Sequence, residues 1–509
     1  MLYWDTLLTP KRRRERSSVA KATSDFRSPF KKDFDTICNS TILRRLQDKA
    51  QVFPLEEEDY ARSRLTHSIE VLSIAQSLGI EIKKIIKKAE YRQYINPRKP
   101  KVISNQTNIR INDIPIILMA AAFLHDMGNP PFGHLGEQII NDWFRNNLEN
   151  YEYLPNEKKI VSCDQSRASL KNILNDTIIS DLEHFDGNAQ LLRLVTRLNY
   201  FTDDKGMNLT YPVMATFIKY PCSSKSVDRD ILSKHKAGFF STEADIFEDI
   251  EKSLGLKQND HYCRHPLAFL LEAADDIAYL TADIEDANHK GILSLAEIEK
   301  TLFESDKQDE DTEENIPPPS DPMILDVLDA INTYKQAAKD NGYPDQEDYV
   351  MHRLRVYIKG QMINAMADAF ERLYPQIMEG NCEQELIEVS SACKLACCLK
   401  KLEKKHIHYC KDIVNNKTRA ISVINKLLDT YVPAVVNYSK ENDNNKDTEP
   451  NLLYMSLSVN YRFVCEQANL QTDLSYIDIL YNKLRLVIDQ ISGMTDSRAL
   501  SVYHTITAK

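Results

Sequence analysis

The sequence predicts an all-α protein. Three observations carry that prediction: apolar residues recur at helical spacing along most of the chain, strand-like alternation is scarce, and only 13 glycines occur in 509 residues. An apolar content of 42% and a charged content of 27% describe an ordinary folded chain, long enough to bury a large core. No apolar run approaches the roughly 18 residues that a membrane helix needs. The N-terminus, with Lys11-Arg12-Arg13-Arg14, lacks the apolar segment of a secretory signal. Ten cysteines without a framework spacing suit free thiols in a reducing cytoplasm. A net charge of −11 argues against a polyanion-binding surface over the whole molecule. Basic clusters at Lys11–Arg16, at Lys31-Lys32 and between Lys83 and Lys101 read as solvated faces or as local attraction for phosphate.

Residues 1–35 read as an irregular arm tied down by Trp4 and Phe34, and a helical pattern follows through Ile37, Ile42, Leu43 and Leu46. His67 stands at the entry to an amphipathic pattern through Val71, Ile74, Ala75 and Leu78. Arg64, three residues earlier, shares its face and could serve phosphate or pair with Glu57 or Glu58. From Ile116 an apolar run predicts a buried helix that delivers His125 and Asp126, and Asn129-Pro130-Pro131 forbids its continuation. His134 and Glu137 follow at i and i+3, where a helix containing Ile139, Ile140, Trp143 and Phe144 begins. A carboxylate so placed fixes an imidazole tautomer, or else the pair simply serves the helix dipole.

Residues 151–183 read as polar and helical, a cover for the pocket. At His184-Phe185-Asp186-Gly187-Asn188 the pattern breaks, with Gly187 free to take a positive φ. Lys219-Tyr220-Pro221 reads as a loop. Further on, Asp275, Tyr279 and Asp283 fall at i, i+4 and i+8 and so line one helix face. Residues 303–322, acidic and then proline-rich, read as a linker. Beyond it Cys393, Cys397, Cys398, His406, His408 and Cys410 lack zinc-finger spacing, and Cys393 with Cys397 fits a buried helical stripe. The helical tail, 451–500, closes on Gly493. The domain organisation expected is therefore an arm (1–35), a catalytic core (36–302), a linker (303–322) and a C-terminal helical region (323–509).

Carboxylates set among Leu, Ala and Ile are costly to bury unless a cation neutralises them. His67, His125, Asp126 and Asp275 together offer two nitrogens and two oxygens, a set suited to Mn²⁺, Mg²⁺ or Fe²⁺ rather than to a thiolate-preferring metal.

His67, then His125-Asp126, then the distant Asp275 resembles the H…HD…D signature of the HD-domain metal phosphohydrolases. Longer strings are similar to the deoxyguanosinetriphosphate triphosphohydrolases. These are Arg44 to Pro54, His125 to His134, Asn141 to Arg145, His184 to Gln190, Glu272 to Tyr279 and Ile491 to Asp496. The resemblance implies an HD helical core with helical insertions and a C-terminal helical extension. It also implies catalytic roles for His134 and Glu137, and substrate contacts at Gln51, Val52, Arg64, His184, Asn188, Lys219, Tyr220, Tyr279 and Asp283. The position matching Gln51 holds the sugar 3′-hydroxyl, and the family usually has Glu where this chain has Asp186. The implied reaction is metal-dependent hydrolysis of dGTP to deoxyguanosine and triphosphate. A homohexamer and a single-stranded DNA partner are implied as well, and no membrane. Broad deoxynucleotide specificity, another HD-type phosphodiesterase or nucleotidase, and a nucleic-acid-binding scaffold with a vestigial site are the competing expectations.

Overall fold

The computed structural model describes residues 1–14, 25–51, 62–98, 103–154, 159–162, 169–199, 206–258, 261–306, 319–407, 411–438, 448–470 and 474–508. Val52 and most of the expected linker, residues 307–318, lie outside them. Helix dominates as the periodicity predicts, and the strands described make only two small hairpins.

Trp4 is fully buried, and its indole N–H donates to the Tyr374 hydroxyl (2.6 Å), which fastens the arm to the core. Ser28 caps α1 (Pro29–Cys38), whose Phe34 stacks on Phe123 at 5.6 Å. At the centre lie α2 (Arg64–Ile86) and α3 (Ile114–Leu124), packed on each other. Apolar on nearly every side, α3 can only be a core helix. Among the described residues, Asn105–Leu124 is one stretch long and apolar enough to cross a membrane, but it is split at Asp113.

After α4 (Gly133–Asn147) the expected helical cover is partly wrong. Tyr151–Leu154 (β1) and Lys159–Ser162 (β2) pair antiparallel, Tyr151 opposite Ser162, and helix resumes at Leu170–Ile173 and α5 (Asp176–Glu183). Tyr and Val favour a pleated surface, and the side chain of Asn437 both donates to and accepts from the Ile160 backbone. Next comes α6 (Gly187–Arg193), capped by Asp186. Gly187 does not take a positive φ. Glycine is required there because a β-carbon would lie 2.2 Å from Asn129 Oδ1 and 2.7 Å from Glu137 Oε1.

The long α7 (Pro266–His289) packs against α2 and against α8 (Gln346–Glu379), which ends at the left-handed Gly380. In α9 (Cys393–Leu402) the buried stripe is Leu395, Cys398, Leu399 and Leu402 rather than Cys393 and Cys397. Cys397 is exposed, and His408 and Cys410 lie outside the described residues. Finally α10 (Lys411–Asn437) packs on α4 and on α11 (Tyr476–Ser492), and α12 (Asp496–Thr507) follows one turn beyond Gly493.

Candidate active site

Three separated stretches converge where α2, α3 and α7 meet. Ser63 caps α2 and sets His67 one turn inside it, fully buried, while α3 gives out at Leu124 and presents His125 and Asp126. Asp275 reaches across from α7. Its Oδ1 lies 3.0 Å from His67 Nε2 and 3.4 Å from His125 Nε2, and Asp126 Oδ2 lies 3.6 Å from His125 Nε2. One ligand atom from each of His67, His125 and Asp126 falls within 4.8 Å of the others. Donors held at about 2.1 Å around one ion lie roughly 3 to 4 Å apart, so the separations of 3.0, 3.4 and 3.6 Å suit a single divalent cation.

Hydrogen bonding points the same way. The Nδ1–H of His125 donates to the Ala122 carbonyl (2.6 Å), which turns Nε2 towards the cluster, buried and without a hydrogen-bond partner. Asp126 is oriented on both oxygens, by Asn129 Nδ2 and by Arg64 Nη1 at 2.7 Å each. Although burial opposes it, Arg64 holds this carboxyl well below the usual range. Burial would likewise depress His125, but Asp126 and Asp275 override it and raise the imidazole to about 9. Lys219 stands 3.3 Å from the second oxygen of Asp275. The donor set therefore fits a hard or borderline divalent ion, with no thiolate in the cluster.

Beyond Pro131 the backbone takes two consecutive left-handed residues, Phe132 (φ 63°) and Gly133 (φ 59°), and α4 begins. A β-carbon on Gly133 would meet Arg64 Nη2 at 2.3 Å, so this turn needs glycine twice over. Here His134 Nδ1 donates to Glu137 Oε2 (2.9 Å), and Glu137 Oε1 accepts from the Gly187 N–H (2.8 Å). The hydrogen bond to Glu137 raises the imidazole above its ordinary value. With 70% of its side chain exposed, His134 stands at the mouth of a cleft of about 400 Å³, which His184, Asp186, His235 and Lys236 also line. A larger cleft, about 650 Å³, lies around Arg193, Arg197 and Tyr481 and contains none of the candidate ligands.

Tyr279 and Asp283 continue the Asp275 face of α7. The Tyr279 hydroxyl donates to Glu403, and Asp283 is buried with neither oxygen hydrogen-bonded. Burial raises the Asp283 carboxyl well above its ordinary range. Gln51 Oε1 is also buried without a partner. Arg64 pairs with Asp126, while Glu57 and Glu58 lie outside the described residues. Ring contact joins Tyr220 to His235 (6.4 Å), and His184 Nδ1 lies 3.1 Å from the Ser180 carbonyl. Asn188 is turned onto Asp186, its Nδ2 donating to Oδ1 at 2.8 Å, so Asp186 both caps α6 and fixes Asn188.

Sequence reading missed Lys236, whose Nζ lies 3.5 Å from Asp186 Oδ2, and Glu403, the partner of Tyr279. The only available signal was charge. Lys234-His235-Lys236 is a short basic run in an aperiodic loop, and Glu403 sits among Lys400, Lys401, Lys404 and Lys405.

Comparison with known proteins adds to this geometry. A family model described as HD domain matches residues 64–182, which include every expected metal ligand except Asp275. A deoxyguanosinetriphosphate triphosphohydrolase-like protein of Listeria innocua is 37% identical over 505 residues, 99% of each chain. Its counterpart in Listeria monocytogenes is similar to the same degree, 37% over 505 residues and 99% of each chain. A deoxyguanosinetriphosphate triphosphohydrolase of Yersinia pestis is 31% identical over 506 residues, 94% of each chain.

Proposed function

The chain belongs to the deoxyguanosinetriphosphate triphosphohydrolase family of HD-domain hydrolases, and from that premise we propose that it hydrolyses dGTP to deoxyguanosine and intact inorganic triphosphate, with a divalent metal. The observation that carries this reading is the convergence of His67, His125, Asp126 and Asp275, with the His134–Glu137 pair in the first turn of α4, beyond the loop that follows Asp126. Those four side chains would hold Mn²⁺, Mg²⁺ or Fe²⁺, which when bound polarises a phosphate and makes a water more acidic.

The chain's own groups then divide the work. Arg64 and Lys219, each set against a carboxylate of the cluster, offer cationic donors to triphosphate oxygens. His134, held at Nδ1 by Glu137, keeps its Nε2 free to hand a proton to the departing 5′-oxygen. In that step water adds to the α-phosphorus, the bond to the 5′-oxygen breaks, and the deoxynucleoside leaves as an alcohol. Tyr279 packs against C2′, where a ribose hydroxyl would clash, and so discriminates by exclusion. Asp283, which is buried, and Gln51, which is half-buried, each keep an acceptor oxygen without a partner and suit the 3′-hydroxyl. Hexameric assembly, implied by the same resemblance, is checked by sedimentation of the purified chain.

The deciding experiment incubates each of the four deoxynucleoside triphosphates with the protein and Mn²⁺ or Mg²⁺ and separates the phosphorus-containing products. Triphosphate from dGTP supports the reading. Equal rates on all four would favour a broad enzyme, and orthophosphate or pyrophosphate a different HD phosphohydrolase.

A further inference from the structure

The stretch Ile491 to Asp496 takes no part in the reaction proposed above, yet the structure ties it to the back of the site. Thr495 caps α12, its hydroxyl oxygen accepting from the Arg498 N–H (3.2 Å), which fixes Asp496 at the first position of the helix, buried. Asp496 Oδ1 accepts the Phe132 N–H (2.9 Å) and Oδ2 accepts the Ala50 N–H (3.0 Å). Both partners are meaningful. Phe132 is the left-handed non-glycine residue two positions before His134, a conformation that persists only where the surroundings over-determine it. Ala50 precedes Gln51. Beside them the buried Lys49 donates to the carbonyls of Ser492 (3.0 Å) and Asn129 (2.5 Å), and Asn129 in turn orients Asp126.

We propose that Asp496 is a positioning residue for the reaction. One carboxylate from the C-terminal segment holds two backbone N–H groups from separate segments, and so fixes the Phe132–Gly133 turn that aims His134 and the register that aims Gln51. This rests on the function read above. A carboxylate is needed because both partners are donors. An amide offers one acceptor oxygen and would set its own N–H₂ against the second amide.

The test is Asp496→Asn in the full chain, read by kcat, KM, the pH profile and amide hydrogen exchange. The expected result is a kcat lowered by about 10- to 100-fold, an alkaline limb moved to lower pH as His134 loses its alignment on Glu137, and faster exchange confined to peptides covering 129–137 and 49–51. Ser497→Ala removes the exposed bond to Asp48 (2.7 Å) between the same two segments and leaves kcat, KM, the pH profile and the exchange pattern unchanged. If Asp496→Asn does not fold, Thr495→Ala, which loosens the cap, is to shift the same readouts in the same direction. Wild-type kcat, limb and exchange in the folded variants would overturn the inference. So would exchange quickened evenly over the chain with kcat per folded molecule unchanged. A wild-type protein that hydrolyses no deoxynucleoside triphosphate defeats the reading of function instead, and the exchange pattern alone then judges this one.

Discussion

Replacing Gly187 by alanine tests whether the loop after Asp126 and the turn before α6 are fitted to each other as closely as the structure requires. The new β-carbon would stand 2.2 Å from Asn129 Oδ1 and 2.7 Å from Glu137 Oε1. A carbon and an oxygen rest no closer than about 3.3 Å, so Asn129 must withdraw by about 1 Å and Glu137 by about half as much. Neither is free to do so. Asn129 donates to Asp126, and Glu137 accepts from His134 and from the Gly187 N–H itself. Misplacing catalytic groups by about 1 Å costs on the order of 100-fold in turnover, equivalent to about 2.7 kcal/mol of transition-state stabilisation. Overpacking should lower stability by about 1–3 kcal/mol at the same time. Steady-state hydrolysis of dGTP and a thermal melt on the same sample separate the two effects. Gly291→Ala is the control. Its left-handed backbone (φ 65°) strains alanine, but open space surrounds it, so stability falls while kcat does not. A Gly187→Ala enzyme with wild-type turnover would refute the reasoning.

Two other predictions concern protonation and the arm. Because Glu137 raises His134, the imidazolium persists to higher pH than an ordinary histidine, and activity that uses it as an acid is lost as pH rises through that raised value. Glu137→Gln should move this alkaline limb to lower pH, and an unmoved limb would show that His134 is not the acid. Tyr374→Phe strips the buried Trp4 N–H of its acceptor and should lower unfolding stability by about 1–3 kcal/mol in a denaturant titration. A change well below that range would mean that Trp4 is held by packing alone.

The candidate metal ligands stood out in the sequence because each lies in, or directly after, a long periodic segment. The Leu- and Ala-rich helix leading to His125-Asp126 and the i, i+4, i+8 face of Asp275, Tyr279 and Asp283 leave little freedom in where side chains point. The hairpin at 151–162 was not legible, since two four-residue strands are too short to establish alternation against a helical background. Nor was the need for glycine at 187, which comes from the close approach of Asn129 and Glu137 rather than from its own backbone angles. Lys236 and Asp496 share that cause. Their contacts are with chain segments tens to hundreds of residues away, and local spacing carries no record of them.

The most direct test of the account is Mn²⁺ binding followed by electron paramagnetic resonance, with hydrolysis of dGTP measured in the same samples. The arrangement of His67, His125, Asp126 and Asp275 predicts one tightly held ion per chain, activity that rises with its occupancy, and loss of both in Asp126→Ala. Full hydrolysis by a metal-free protein, or tight binding undiminished in that variant, would contradict it.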